Sequence, residues 1–328
     1  MNMELTRIPK RKIDRAKIVV GIPRAFLTFR YQTLWQSFFD ALKIKTVMSQ
    51  PTNLETMTKG ENKANSEMCL AMKIYLGHVA SLEGACDYVL VPRIADFGIR
   101  RVMCTTFQAL PDLVMNIFRH ASFKVLSYNV DSRLKTDEKE AMIAMAESLG
   151  FSHSEAKKAY KTAHKASEDA YDQQVEENEK LYKQKGLKIV VAGHSYVTED
   201  RYIGKPIFDY LKDNGIIPIR ADLVDRKEAL KAAHKASPTL KWELSREIVG
   251  SLAMHYKDID GVILLTVYPC ALDSMVNDMI MRKNKMAEIP LLQLTLDAQS
   301  GTAGLETRLE SFIDIITMRE EQEDHGEE

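Results

Sequence analysis

Short runs of β-branched apolar residues alternate with amphipathic helical stretches, and this alternation restricts the fold more than any other feature of the chain. Continuous apolar runs are typical of parallel strands that are buried on both faces. The pattern predicts an α/β protein whose parallel sheets carry helices on both faces. The predicted strands are residues 17–23, 45–50, 87–94, 123–130, 187–196, 216–223, 261–267 and 290–297.

Between the strands, apolar residues recur at helical spacing. Leu34, Phe38, Phe39 and Leu42 share one face of the first such stretch. Further helices are predicted at about 66–83, 110–120, 226–236, 240–256 and 303–318.

The middle of the chain differs in composition, because residues 134–186 are rich in Lys, Glu and Ala and poor in β-branched residues. Ser152 and Glu155 fit a capping box, and Gly186 fits a helix end. Two helices, at about 136–149 and 153–185, are therefore predicted as a charged helical connection.

The segments on either side of this connection resemble each other. Each opens with the letters KIVV, followed by a Gly-containing polar loop, a helix and a second strand. We predict two doubly wound parallel-sheet lobes of similar plan. The predicted divisions are an N-terminal arm (1–16), a first lobe (17–133), the helical connection (134–186), a second lobe (187–318) and an acidic tail (319–328).

Charge and hydropathy argue against two classes of partner. The 328 residues carry a formal net charge of -1, which gives no electrostatic reason to bind nucleic acid. No apolar run approaches the roughly 20 residues that a spanning helix needs. The basic N-terminus has no apolar segment after it, so a secretory signal is not expected. We expect a cytoplasmic protein with no membrane or nucleic-acid partner, and both homo- and hetero-oligomers stay open.

The four cysteines, Cys69, Cys86, Cys104 and Cys270, form no C-x-x-C pair. Ligands of parallel sheets bind beyond the carboxyl ends of the strands. Cys69, Cys104 and Cys270 follow strands and should lie at that edge. Cys86 precedes the strand at 87–94, and a strand of that length spans on the order of 25 Å. We expect Cys86 to be remote from the other three.

Several roles fit three grouped thiols. Thiolates suit a 4Fe–4S cluster with one iron left open, or a zinc ion with an open position. A cysteine activated by His78 or His194 is a second hypothesis. The third is that all these cysteines are small core residues, as is common for free cysteine.

Other polar residues are predicted at the same edge as binding residues for a cofactor or an anionic substrate. Arg24 and Arg93 follow strands of the first lobe, whereas His194 and Asp297 follow strands of the second. Arginine suits carboxylate or phosphate, because its planar fork binds them at two points. The alternatives are arginine–carboxylate pairs between the lobes and an ordinary hydrogen-bonded loop histidine.

Several stretches resemble the acyl-CoA dehydratase activase-related family, which is similar to the catalytic subunits of 2-hydroxyacyl-CoA dehydratases and benzoyl-CoA reductases. The resemblance covers most of residues 17–318, apart from the helical middle, and the motifs are specific only when they are taken together. They are GIPRAFLTFRYQTLWQSFF, SEMCLAMKIYLGHV, DYVLVPRI, CTTFQALPDLV, YPCALDSMVND and LTLDAQSGTAGLETRLESFID.

The resemblance implies an iron–sulfur cluster bound by Cys69, Cys104 and Cys270. It also implies electron transfer from an ATP-dependent activase, itself an iron–sulfur protein, and a small-molecule or CoA thioester substrate. Ala71, Thr105 and Ala271-Leu272 stand where the family pattern leads us to expect Pro, Pro and Gly-Pro. The cysteines are kept although the residues around them differ, so cluster binding is the prediction. The sequence leaves open whether the chain is itself an enzyme or a cluster-binding assembly subunit.

Overall fold

The computed structural model describes residues 17–283, 289–300 and 302–326. The predicted arm, residues 1–16, lies outside the described residues. The strands are β1 (Val19–Ile22), β2 (Lys45–Met48), β3 (Tyr88–Leu90), β4 (Arg93–Ile94), β5 (Lys124–Leu126), β6 (Asn129–Val130), β7 (Lys188–Ala192), β8 (Ile217–Arg220), β9 (Gly261–Val267) and β10 (Leu291–Leu296).

The helices lie between or after these strands, singly or in consecutive pairs. They are α1 (Thr28–Ala41), α2 (Leu54–Glu61), α3 (Leu70–Ser81), α4 (Thr105–Ile117), α5 (Glu138–Ser148), α6 (His153–Tyr182), α7 (Ser195–Thr198), α8 (Lys205–Asp213), α9 (Arg226–Ala236), α10 (Glu243–His255), α11 (Ala271–Arg282) and α12 (Thr302–Gly326).

The predicted fold class is confirmed. One four-stranded parallel sheet has the strand order β2-β1-β3-β5, and a second has β8-β7-β9-β10. In chain order, each sheet therefore reads second, first, third and fourth strand. The short strands β4 and β6, from the same part of the chain as the first sheet, pair in parallel with each other. The helices α5 and α6 lie between the two lobes in the sequence, and α6 begins with the predicted Ser152–Glu155 capping box.

The equivalence between the lobes extends to single hydrogen bonds. The Asp87 carboxylate accepts the backbone N–H of Val19 at 2.8 Å, and the Asp260 carboxylate accepts that of Lys188 at 2.7 Å. Val19 and Lys188 are therefore equivalent, although the KIVV letters would align Val19 with Val190. The letter match is displaced by two residues, because a run that is apolar on both faces does not fix its own register.

Several predicted boundaries differ from those observed. The strand predicted at 87–94 is divided at Pro92 into β3 and β4, although the N–H groups of Val91 and Arg93 both donate to the neighbouring segment. Helix α4 begins at Thr105 rather than at about 110, and Pro111 lies inside it. The sequence pattern does not predict α2, whose N-cap Asn53 accepts the Thr56 N–H. Helix α12 runs to Gly326, through most of the segment predicted as a tail.

The lobes contact each other through buried polar groups as well as through a shared apolar core. Arg30 donates two hydrogen bonds to Glu247, at 2.6 and 2.8 Å. The N–H of Val102 donates to the Lys241 carbonyl at 3.0 Å, and the N–H of Glu243 donates to the Val102 carbonyl at 2.9 Å. This backbone bridge fixes the segment before Cys104 against the start of α10. Within the described residues, no helix is both long and apolar enough to cross a membrane.

Candidate metal centre

The three grouped cysteines occupy the same kind of position. Cys69, Cys104 and Cys270 are the N-cap residues of α3, α4 and α11. The first backbone N–H groups of a helix lack partners inside the helix, and the macrodipole makes this end partly positive. All three thiols therefore lie where a thiolate or an anionic centre is stabilised.

Contacts between the lobes bring these helix starts together. The N–H of Leu70, directly after Cys69, donates to the Tyr268 carbonyl at 2.9 Å, two residues before Cys270. Cys104 and Cys270 line one cavity of about 20 Å³. The thiol of Cys69 interacts electrostatically with those of Cys104 and Cys270. The fold thus places the three cysteines in one region, as predicted from the strand ends.

Their surroundings disfavour bare thiolates. Burial is the main cause that raises the pKa of Cys69, and burial followed by the Asp273 carboxylate raises that of Cys270. Both thiols are therefore protonated at neutral pH in the metal-free chain. A soft metal would displace those protons.

Tyr196 lies among the three cysteines. Its ring stacks on His194 with centroids 5.1 Å apart and meets Phe26 and Phe107 edge-on at 5.4 and 6.0 Å. Burial raises the pKa of Tyr196, and Asp273 and the three thiols raise it further. Sequence reasoning missed this residue. The signal that could have identified it is its place just after β7, on the short helix α7 and two residues beyond His194.

His194 is held by an acid that sequence reasoning also missed. Its Nε2 lies 2.8 Å from Asp273 Oδ1, and Thr266 donates to the other oxygen at 3.2 Å. Burial disfavours both charges, but the partners outweigh it: Asp273 raises the pKa of His194, and His194 lowers that of Asp273. Asp273 lies one helical turn after Cys270, and that spacing is the signal that could have identified it.

Unpartnered polar atoms gather at the small cavity beside Cys104 and Cys270. Three residues that line it, His194, Glu243 and Ser245, are 5 %, 1 % and 0 % exposed. In the described part of the chain, His194 Nδ1, Glu243 Oε2 and Ser245 Oγ are buried without a hydrogen-bond partner. Such atoms usually bind a water or a ligand.

The other predicted binding residues are engaged elsewhere. Arg24 Nε donates to the Ser49 carbonyl at 3.2 Å. Arg93 donates to the Gln108 carbonyl and the Asp112 carboxylate, at 2.5 and 2.8 Å. Asp297 is exposed, and its carboxylate accepts the N–H of Gln299 and the hydroxyl of Ser300. His194 alone lines the cavity with Cys104 and Cys270, and the ligand roles of all four stay predictions.

Two further residues lie in different surroundings. Cys86 lies at the other end of its strand, where its thiol donates to the Leu82 carbonyl and burial raises its pKa to about 11. His78, the other histidine considered as a catalytic base, is fully buried, with its ring nitrogens 2.9 and 3.0 Å from Ser49 and Thr52.

A single metal ion and a cluster make different demands on these donors. Among the residues that the structure describes, no three His, Cys, Asp or Glu side chains lie close enough to hold one metal ion. The thiolates of a cluster bind different irons, so they need not meet at one point. Space is the obstacle, because a cavity of about 20 Å³ has room for about one water. Tyr196 would have to shift to admit a cluster.

Comparison with known proteins identifies the family. No curated protein matches the chain. The model of one family, the CoA enzyme activase uncharacterised domain, matches residues 19–224. The match includes Cys69, Cys104 and His194 and ends before Cys270. Because it covers more than half of the 328 residues, the chain belongs to the CoA enzyme activase uncharacterised domain family.

Proposed function

We propose that the chain is an iron–sulfur redox protein in which Cys69, Cys104 and Cys270 hold one 4Fe–4S cluster. The observation that carries this proposal is the meeting of three N-cap cysteines, from both lobes, around Tyr196. When bound, such a cluster supplies one-electron transfer. The similarity to catalytic subunits of 2-hydroxyacyl-CoA dehydratases and benzoyl-CoA reductases is part of the proposal.

The electron donor in this proposal is an ATP-dependent activase iron–sulfur protein, and the acceptor is a small or CoA-linked substrate. The chain's own residues provide the surroundings. The three helix starts stabilise negative charge at the thiolates. His194 holds a proton against Asp273. The rings of Phe26 and Phe107 pack edge-on against Tyr196, which lines the cavity with Cys104 and Cys270.

Anaerobic reconstitution with iron and sulfide tests the cluster. We expect about four irons per chain and broad absorption near about 400 nm. Cys69→Ala, Cys104→Ala and Cys270→Ala should each lose the iron, whereas the control Cys86→Ala should keep it. Tyr196→Ala should load faster than the exposed control Tyr202→Ala. Equal iron in the wild type and in all three cysteine variants, with the fold intact, would contradict the proposal.

Each of two alternative functions can be distinguished from this proposal by one measurement. A cluster-binding assembly or maturation subunit would load iron but take up no electron from the activase with ATP. A zinc or metal-free CoA-binding protein would stay colourless under the same reconstitution. The second alternative draws support from a large cleft between the lobes that is lined by cationic side chains.

A further inference from the structure

A cleft of about 1080 Å³ lies between the lobes, on the far side of the first turn of α10 from the cysteines. Its lining comes mainly from α1, residues 97–101, α6, α9 and the first turn of α10. Tyr31, Phe97 and Tyr171 contribute rings, and Ile99 is 93 % exposed. Sites for small molecules are mostly about 300–1,000 Å³, so this cleft has room for more than a lone anion.

The acidic residues of the cleft are almost all engaged. Glu243 accepts two bonds from Arg101, and Asp225 caps α9. Glu168 and Glu176 pair with His164 and Lys180. Burial raises the pKa of Glu138, which accepts the Tyr160 hydroxyl. Asp172 is the one acid of this cleft without a partner among the described residues.

Four cations of the cleft, from residues 97–101, α9 and α10, have positive charges that acidic side chains compensate little. Among the described residues, Arg100 donates to the Pro238 carbonyl alone, and Arg246 donates to the carbonyls of Arg100 and Leu230 alone. Lys227 is exposed and makes no side-chain ion pair in the described chain. Carbonyl oxygens leave the positive charge of a guanidinium uncompensated.

The fourth cation, Arg226, is held in place but incompletely paired. Its guanidinium carbon lies 3.6 Å from the centroid of the Tyr171 ring. Glu247 is 3.7 Å away, but both its oxygens already accept bonds from Arg30. The Nε of Arg226 is buried without a hydrogen-bond partner in the described chain. A buried guanidinium N–H without an acceptor indicates a missing one.

We propose that this cleft binds a ligand that carries phosphate groups next to a flat base, the chemistry that nucleotides and coenzyme A share. Arg100, Arg226, Lys227 and Arg246 bind the phosphates, and the aromatic side chains of the cleft contact the base. Arginine forks match phosphate geometry and also stack on flat rings. Glu243 lines both this cleft and the cavity beside Cys104 and Cys270, so a long ligand lies next to the cysteine region.

The site would hold the nucleotide part of the CoA-linked substrate in the proposed function, but its occupation needs no metal. Binding to the metal-free full-length chain therefore tests it separately from iron loading. Titration calorimetry would use pyrophosphate, ADP and coenzyme A, with adenosine as the phosphate-free control. We expect the phosphorylated probes to bind, and to bind more weakly as salt is raised. Coenzyme A binding tighter than ADP assigns the site to CoA, and the reverse assigns it to nucleotides.

Matched variants locate the binding. Arg100→Ala and Lys227→Ala change exposed side chains and should each weaken ADP binding about tenfold, the loss of one charge-assisted contact. Lys231→Ala, one turn further along α9 and paired with Glu228, should leave binding unchanged. Equal affinity for adenosine and ADP, no binding of any phosphorylated probe, or equal effects of all three variants would each overturn the proposal.

Discussion

The two lobes begin equivalent helices with different residues. The helix after the third strand starts at Cys104 in the first lobe and at Cys270 in the second. The helix before that strand starts at Cys69 in the first lobe and at Trp242 in the second. A glycine eight residues on marks this last equivalence, because Gly77 and Gly250 each face a backbone carbonyl of the preceding helix.

This difference suggests why the site would have three thiols rather than four. In the second lobe, Trp242 stands where the first lobe has Cys69, and its side chain does not cap α10. Ser245 and Glu243, in the first turn of α10, carry two of the unpartnered polar atoms at the cavity. The side of the region without a cysteine therefore offers unpartnered polar atoms. In a cluster-loaded protein, we expect an exogenous ligand to approach from α10.

Substitution of Gly77 or Gly250 should have the largest effect on stability and tests whether the two lobes pack these helices alike. An added Cβ would lie 2.0 Å from the Thr56 carbonyl oxygen at Gly77 and 2.0 Å from the Ala229 carbonyl oxygen at Gly250. Gly77→Ala and Gly250→Ala should each lower the free energy of unfolding by about 3 kcal/mol or more, since a backbone carbonyl cannot rotate away. Urea denaturation at pH 7 measures this loss.

Gly304→Ala is the control, because nothing lies within 4 Å of its added Cβ in α12. It should stabilise the protein by up to about 1 kcal/mol through helix propensity. If one lobe tolerates its glycine substitution and the other does not, the two helix pairs are not packed alike.

Directly after these glycines, the first lobe has His78 and the second has Ser251. The histidine can titrate near neutral pH and the serine cannot, so the stability of the two helix pairs should depend differently on pH. Burial, followed by the Arg24 charge, lowers the pKa of His78 to about 4. In the unfolded chain the His78 ring takes up a proton at about pH 6.5, whereas in the folded chain it does so only at about pH 4. Stability from the neutral ring is therefore complete above pH 6.5 and falls as the pH drops to about 4, by about 2–3 kcal/mol.

The test compares the wild type with His78→Gln by denaturation at several pH values across this window. Asp200, which accepts the Thr52 hydroxyl, has a pKa that burial raises, and this acts in the opposite direction. It is present in both proteins, so the difference between the two slopes isolates His78. Identical slopes would show that the ring is not buried as a neutral group.

The sequence predicted the architecture because strand and helix periods are local properties. Both sheets, the restart after the helical middle and the edge that groups Cys69, Cys104 and Cys270 follow from those periods and one rule for parallel sheets. The sequence could not show which residue of β1 is equivalent to which residue of β7. An apolar run without alternation does not indicate which residues face which side of the sheet. The Asp87 and Asp260 hydrogen bonds reveal this equivalence, and the pairing of β1 with β3 and of β7 with β9 agrees with them.

The surroundings of the site were less predictable, because they depend on contacts between segments far apart in the chain. Tyr196 lies on α7, Trp242 is the N-cap of α10 and Asp273 lies on α11. The cationic cleft likewise combines residues 97–101 with α9 and α10. Arg93 illustrates the limit of the edge rule. It begins β4, three residues after β3 ends, and its side chain is bound by Asp112 on α4.

The smallest expected effect comes from Asp87 and Asp260, and it tests the register directly. Asp87→Ala removes the acceptor of the Val19 N–H, and Asp260→Ala removes that of the Lys188 N–H. Each should lower the free energy of unfolding by about 1–2 kcal/mol, the cost of losing a hydrogen bond to a charged acceptor. The exposed pair of Asp209 with Lys205 on α8 provides the control Asp209→Ala, expected within about 0.5 kcal/mol of the wild type. The sites lie in different sheets, so the two losses should add in the double variant. A loss in one lobe alone would mean that only one of these aspartates anchors its first strand.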